Sequence, residues 1–453
     1  MNTSSSHNSS PSFLSSHSVF GFTLSPVLKE LIERGYIYQC TDPDGLNSIL
    51  SANLGDSATG GENKSNDHSK HSVPISCYVG FDCTAKSLHV GSLMQIMIMR
   101  AMQRHGYRPV ILLGGATTRI GDPSDKDEMR KLRSLEEIEE NKLSIAKIFR
   151  KLLVFEGECA AILVDNSDWL SELKYLDFLQ DYGRHFSINR MLTFDSVKLR
   201  LERQHPLTFL EFNYMLLQAY DFVELYRRYN CCLQFGGSEQ WGNIVSGVDL
   251  ARRVEGCELF GITTPLITTA NGAKMGKTVG GAVWLNDDML SSYEFWQFWR
   301  NVADADVIRF LKIYTNLKVE EIDRAQENLD INELKVMLAN EVTSLCHDKE
   351  AAGNAERTAR ETFSGGGIGS DLPKVEISSS DLPMPFYRLL VTCGLCESNS
   401  AAKKLIVGKG VRIDNEMIDD ENHIVSMDTF VSERDMVKIS VGKKRHIVIM
   451  LMR

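Results

Sequence analysis

With 453 residues the chain is too long for one hydrophobic core, so two or three domains are expected. It is 43% hydrophobic, ample for a buried interior, yet no apolar run is long enough for a helical membrane span. The net charge of −10 excludes a protein that coats nucleic acid indiscriminately, but the charge is uneven: from Asp381 onward 11 Lys/Arg stand against 10 Asp/Glu, about +1, leaving about −11 on the residues before it, so local basic patches remain available to grip RNA.

Residues 1–24 are rich in serine and hold no Asp, Glu, Lys or Arg. They lack the arginines of a transit peptide and the basic start and apolar core of a secretory signal, and they read as a disordered extension. From residue 25 short apolar runs alternate with longer amphipathic ones. Strands are expected over 72–81, 109–114, 160–164 and 231–235, and helices over 93–103, 135–153, 173–186, 212–229 and 243–254. Strands alternating with helices predict an α/β domain, a parallel sheet covered on both faces, with ligands beyond the strand carboxyl ends. Polar motifs follow those ends at Asp82, Gly114-Gly115, Asn166 and Gly236-Gly237. The Gly/Ser/Asn-rich stretch 51–72 reads as a mobile polar insert. The pattern turns helical over 291–363, with helices expected over 293–311 and 331–345. The stretch 364–381, opening with Gly365-Gly366-Gly367, reads as a linker, and 382–453 forms a compact helix-then-strands pattern. The ten cysteines are scattered, as reduced thiols are. Cys393-Gly394-Leu395-Cys396 has no partner pair at zinc-ribbon spacing, so it reads as small buried hydrophobes and no metal site is expected.

Three segments carry chemistry. Lys274-Met275-Gly276-Lys277-Thr278 ends like a phosphate loop, but the glycine required five positions before Gly276 is Asn271, and no strand-then-helix context surrounds it. Alone it reads as a solvated basic loop. His89-Val90-Gly91-Ser92 falls at the start of an expected helix, where backbone N–H groups favour a phosphate and a glycine permits close approach; a lone histidine there is ordinarily surface or core. Tyr214, Gln218 and Asp221, four and three residues apart, share one helix face, which is either an ordinary amphipathic face or a binding face.

Thr84 to Ser92 and Lys274 to Thr278, in this order and this far apart, resemble the two signature segments of class I aminoacyl-tRNA synthetases. Tyr78-Val79-Gly80-Phe81-Asp82, Gly114 to Thr117 with Gly121-Asp122-Pro123-Ser124, Tyr214 to Asp221 and Gln234 to Asn243 are similar to the tyrosyl-tRNA synthetases of the bacterial and organellar type. The resemblance runs from about residue 25 to the C-terminus. It implies a Rossmann-like catalytic domain over 25–290, a helical anticodon-binding region over 291–363 and a small α+β RNA-binding domain of the S-four type over 382–453, in which Lys403, Lys404, Lys409 and Arg412 would meet RNA. It implies ATP and L-tyrosine as substrates, tRNA(Tyr) as acceptor, Mg²⁺ carried by the nucleotide and a homodimer; the expected location is the cytoplasm, with an organelle matrix as the alternative.

The resemblance also distributes roles. Thr84, His89, Lys274, Lys277 and Thr278 would act on the phosphates of ATP. Tyr78 and Asp221 would hold the phenol hydroxyl of tyrosine, while Asp122, Tyr214 and Gln218 would hold its ammonium group and Gln240 would lie beside its carboxylate. Gly80, Asp82, Gly91, Ser92, Gly237, Glu239 and Lys277 would line the ATP site. Two positions depart from the family pattern: Ser92 stands where a second histidine is usual, and Glu239 where Asp is commoner. The tyrosine carboxylate is already ionised and attacks the α-phosphorus of ATP without a general base, so catalysis is positioning and charge stabilisation. A relative that binds RNA without aminoacylating would be expected to lose Lys277, His89 or Asp122, and all are present. Tryptophan activation on the same fold is the other alternative, but a phenol and a carboxylate suit a hydroxyl better than an indole N–H.

Overall fold

The computed structural model describes residues 23–58, 74–124, 133–278, 281–364, 372–430, 435–442 and 445–452. It divides into two compact units, one of Met1–Asn286 with Val302–Leu334, the other of Asp287–Asn301 with Lys335–Arg453. The expected N-terminal extension and most of the expected polar insert lie outside the described residues.

The first unit is built on the apolar runs of the sequence. The four expected ones become β2 (Ser76–Phe81), β3 (Arg108–Leu113), β4 (Ile162–Asp165) and β5 (Cys231–Gly237); β6 (Phe260–Thr264) and a two-residue edge strand, β1 (Gln39–Cys40), are additional to those expected. The order is β1-β6-β5-β2-β3-β4; neighbours pair in parallel except β1, which runs antiparallel to β6. Such strands are apolar on both faces because helices cover both. The chain steps outward from β2 to β3 to β4, then returns to lay β5 on the other side of β2. That reversal opens a crevice at the carboxyl ends of β2 and β5, where ligands bind in such sheets.

Two helices frame the crevice. One, Val90–Arg104, buries Leu93, Met94, Ile96 and Met97 and starts at the N-cap His89. The other, Tyr214–Tyr229, ends on Asn230 at φ 51°, a left-handed cap that turns the chain straight into β5.

Several expected boundaries move. Residues 51–58 continue the helix Pro43–Ala58 instead of opening the polar insert. The helix expected over 173–186 is cut short: Tyr175–Asp181 is followed by a single 3₁₀ turn, Gly183–His185, as glycine disfavours helix continuation. The helix expected over 293–311 is two, Ser292–Arg300 and Val307–Tyr314. The expected linker ends early, since Lys374–Ser378 is a strand pairing in parallel with Arg445–Met452; residues 365–371 lie outside the described ones. The helical region is also divided, because Val302–Leu334 is anchored in the first unit. There buried Arg34 donates to the carbonyls of Lys312 at 2.8 Å, Thr315 at 3.1 Å and Leu317 at 2.7 Å, and the Tyr36 hydroxyl donates to Ile313 O at 2.7 Å.

Glu30 holds Arg34 in place. Its carboxylate accepts from Arg34 Nε at 2.7 Å, Arg104 Nη2 at 2.6 Å and meets His105 Nε2 at 2.8 Å. Burial resists ionisation, but these partners outweigh it and bring the carboxyl down to about 2. Because the folded value lies below the unfolded one, the stabilisation is fully present above about pH 4.5 and is lost as pH falls toward 2. Glu30→Gln should therefore lower stability at pH 7 by on the order of 2 kcal/mol, with the gap to the unaltered protein narrowed at pH 3 and closing only toward pH 2, as urea unfolding at pH 7 and pH 3 would measure.

In the second unit, Glu416–Ile418, Val411–Ile413, Met436–Val441, Arg445–Met452 and Lys374–Ser378 form one sheet in that order. It packs Ile439 and Ile449 against Phe386, Leu389 and Ile406 of two short helices. This is the α+β pattern expected for 382–453, extended by one strand.

Candidate active site

Tyr78 on β2 is 1% exposed and lies against Phe222, ring centroids 5.1 Å apart. Its hydroxyl meets no hydrogen-bond partner among the described residues. Asp221, equally buried, accepts from Asn166 Nδ2 at 3.0 Å and Trp169 Nε1 at 2.7 Å. Burial pushes its carboxyl up to about 7 against the pull of those two donors. Burial and then the Asp221 charge push the Tyr78 phenol well above its ordinary range, so the two groups share one environment. An unpaired phenol O–H beside a carboxylate with lone pairs to spare suits a group that donates and accepts at one oxygen, as a hydroxyl such as a phenol's does.

A second cluster follows along the same strand ends. Asp82 accepts from the Tyr214 hydroxyl at 3.1 Å and the Thr117 hydroxyl at 2.9 Å. Asn166 Nδ2 also donates to Thr117 Oγ1 at 3.0 Å, and Asn166 Oδ1 accepts from Ala116 N at 2.9 Å. A run of hydrogen bonds thus joins Trp169, Asp221, Asn166, Thr117, Asp82 and Tyr214. Gly114 is required at its centre: a Cβ there would strike both the Asp82 carboxylate and the Thr117 hydroxyl. Burial, then the charges of Asp82, Asp122 and Asp221, push the Tyr214 phenol up. Three carboxylates around one phenol suit a small cation such as an α-ammonium group.

The Tyr214, Gln218 and Asp221 face of the helix is real, but its members engage different partners. Gln218 Oε1 accepts from Asn243 Nδ2 at 2.9 Å, the same group donates to Gln240 Oε1 at 3.1 Å, and Gln240 Nε2 donates to Asp122 Oδ2 at 2.7 Å. Asp122 Oδ1 accepts from Ser124 N at 2.9 Å. Sequence reasoning assigned no role to Trp169, Thr117, Asn166 or Asn243. Asn166 was visible as a polar residue closing a strand, and Thr117 and Asn243 only as the ends of two family-like segments; nothing marked Trp169.

The two signature segments meet backbone to backbone. His89 Nδ1 accepts from Gly91 N at 3.0 Å, and Val90 N donates to Val283 O at 2.9 Å, whose own N–H donates to Gly276 O at 3.0 Å. A Cβ on Gly91 would lie 3.1 Å from Met275 O, and one on Gly276 would lie 3.1 Å from Gly91 N. Met275 is buried beneath this meeting point. Lys274 bridges Thr268, while Lys277–Thr278 forms a small strand with Gly281–Ala282; the side chains of Lys277 and Thr278 lie outside the described ones. Thr84, half-buried, has its N–H on Asp82 O at 2.9 Å, and Ser92 N donates to His89 O at 2.8 Å. Gly80 is exposed on β2. Gly237 closes β5, and the Glu239 carboxylate folds back over it, occupying the space of any Cβ.

The four basic residues belong to the second unit. Lys404, Lys409 and Arg412 are exposed; Lys403 is half-buried with its ammonium 4.8 Å from the Tyr387 ring centre, and Lys409 Nζ lies 3.6 Å from Asp419.

The tRNA synthetases class I (W and Y) match this chain over residues 70–364. A tyrosine–tRNA ligase of Rickettsia felis is 50% identical over 427 residues, 93% of this chain and 99% of that relative. One from Ruegeria pomeroyi is 50% identical over 431 residues, 94% of this chain and 98% of its own length. Among solved structures, a C-terminally truncated mitochondrial tyrosyl-tRNA synthetase of Aspergillus nidulans superposes with a TM-score of 0.63 at 28% identity, covering 74% of this chain and 94% of that one.

Proposed function

This chain belongs to the tyrosine–tRNA ligases of the class I synthetase family, and from that premise we propose how its own side chains divide the work. The ligase joins L-tyrosine to ATP as tyrosyl-adenylate, releasing pyrophosphate, and then charges tRNA. In our reading the unpaired Tyr78 hydroxyl beside Asp221 carries the tyrosine assignment. The substrate phenol donates to Asp221 and accepts from Tyr78. Its ammonium group sits among Asp82, Asp122 and Tyr214, with Gln218 and Gln240 fixing the Asp122 side. Its carboxylate is thereby aimed at the α-phosphorus of ATP. Gly80, Gly91, Ser92, Gly237 and Glu239 line the nucleotide, and Thr84, His89, Lys274, Lys277 and Thr278 serve the triphosphate. Mg²⁺ would accompany ATP as its counter-ion.

ATP–pyrophosphate exchange run separately with tyrosine, phenylalanine and tryptophan tests this: only tyrosine should support it. Exchange with tryptophan at a comparable rate would overturn the phenol pocket.

The proposed RNA grip rests on the exposed Lys404, Lys409 and Arg412 with Lys403 beside them. Replacing all four with alanine should leave adenylate synthesis unchanged, lower tRNA charging, and flatten its salt dependence by about 0.7–0.9 in slope for each phosphate no longer neutralised. An unaltered salt slope would dismiss the grip.

We also propose a homodimer. The segment between β4 and β5 leaves Leu176 76%, Phe209 69%, Ile188 60% and Tyr175 59% exposed, and apolar surface of this kind suits a second copy. Leu176→Asp with Phe209→Asp should halve the mass seen by sedimentation. Bacterial relatives favour a cytoplasmic setting, while the mitochondrial structure keeps an organelle matrix as the second reading. No helix among the described residues is long and apolar enough to cross a membrane.

A further inference from the structure

The loop that carries Lys274 is a hairpin whose base and tip are held in different ways. Over residues 267–275 the chain doubles back: Met275 N donates to Ile267 O at 2.8 Å, Thr268 and Lys274 form an antiparallel bridge, and Thr269 N donates to Ala273 O at 2.8 Å. Gly272, at φ 78°, lets the tip reverse. Ile267 and Met275 are buried and fix the base. Residues 270–273 at the tip are exposed, so packing does not place them and hydrogen bonds must.

Those bonds come from the start of the helix Val307–Tyr314. Asp306 is its N-cap, a position where a carboxylate ordinarily accepts from the first N–H groups of its own helix, yet this one makes no such bond. It is 3% exposed, and its Oδ2 accepts instead from Ala270 N at 2.7 Å. Its Oδ1 accepts from Arg309 Nη2 at 2.7 Å. The same nitrogen donates to the carbonyl of Thr268, the residue bridged to Lys274. The helix thus forgoes its own side-chain cap and spends the carboxylate on the hairpin.

We propose that Asp306 and Arg309 are positioning residues for adenylate formation, a latch on the hairpin that sets where Lys274 meets the phosphates of ATP. The inference rests on reading Lys274 as serving the triphosphate. Lysine carries its charge on a flexible stem, and a fixed backbone beneath it limits where that charge can go. The latch bonds to the hairpin backbone alone, so its loss should fall on the rate of adenylate formation and leave tyrosine binding in place.

The test is single-turnover formation of tyrosyl-adenylate in Arg309→Met. The Arg309 side chain is 43% exposed, so its replacement should leave the fold intact, and methionine keeps an unbranched stem beside the Phe310 ring. The rate should fall roughly tenfold, as for one charge-assisted hydrogen bond, while the tyrosine dissociation constant stays within about twofold. Asp306→Asn keeps an acceptor for Ala270 N and loses the ionic bond to Arg309, and it should show the same pattern. The double variant separates a latch from a merely structural role. Because the latch acts through Lys274, adding Arg309→Met to Lys274→Ala should slow the reaction by less than about twofold more. An equal fall in both backgrounds, an unchanged rate, or a tyrosine affinity that worsens as much as the rate would overturn the assignment. Lys274→Ala that forms adenylate at the wild-type rate would instead overturn the reading of the loop on which the inference rests.

Discussion

Asp221→Asn should lower kcat/KM for tyrosine by roughly 100-fold while changing that for phenylalanine far less. Two effects add. A charge-assisted bond to the substrate phenol becomes a neutral one, a loss of about 1–1.5 kcal/mol. The carboxylate also serves two fixed donors, Asn166 Nδ2 and Trp169 Nε1. An asparagine offers only one acceptor oxygen, so one of these donors or the substrate is stranded. Phenylalanine has no hydroxyl to lose, and the ratio of tyrosine to phenylalanine activation must shrink. Tyr78→Phe should move the ratio the same way by less, about 1 kcal/mol, since it deletes a neutral partner. Equal losses for both amino acids would reduce the pair to a structural role. The carboxyl of Asp221 is pushed up to about 7. It is ionised above that value, so kcat/KM for tyrosine should decline on the acid side of about pH 7, and the asparagine variant should lack that limb.

Lys277→Ala should slow adenylate formation roughly 100- to 1,000-fold and leave the dissociation constant of tyrosine almost unchanged. An ammonium group on the departing pyrophosphate matters most when charge builds there, so its loss falls on the rate. Single-turnover formation of tyrosyl-adenylate, set beside tyrosine binding at equilibrium, separates the two. A tyrosine affinity that worsens as much as the rate would remove Lys277 from the transition state.

Much of the sheet was legible because its strands are buried on both faces and therefore read as unbroken apolar runs. The polar residues that close β2, β3, β4 and β5 marked the crevice for the same reason. What the sequence hid is pairing between distant residues. Nothing local shows that Lys374–Ser378 completes a sheet with Arg445–Met452, or that Arg34 ties down the carbonyls of Lys312, Thr315 and Leu317. The site shows the same limit. Helical spacing put Tyr214, Gln218 and Asp221 on one face, but their partners come from three other segments, at Asp82, Asn243, and Asn166 with Trp169. Gly91 was legible as a place of close approach; that Gly276 is what lies against it required the fold.

The hydrogen bonds that run from Asp221 through Asn166, Thr117 and Asp82 to Tyr214 make the two ends of the proposed amino-acid pocket a single object. The Asn166 amide nitrogen serves Asp221 and Thr117 at once, so a disturbance at the phenol end is felt where the ammonium group is held. An ill-fitting amino acid is then penalised in the aim of its carboxylate as well as in its occupancy, and rejection should register in kcat as much as in KM. Redirecting this enzyme to another side chain is accordingly a problem of five linked positions, and exchanging the residues around the phenol alone would leave a substrate bound but badly presented.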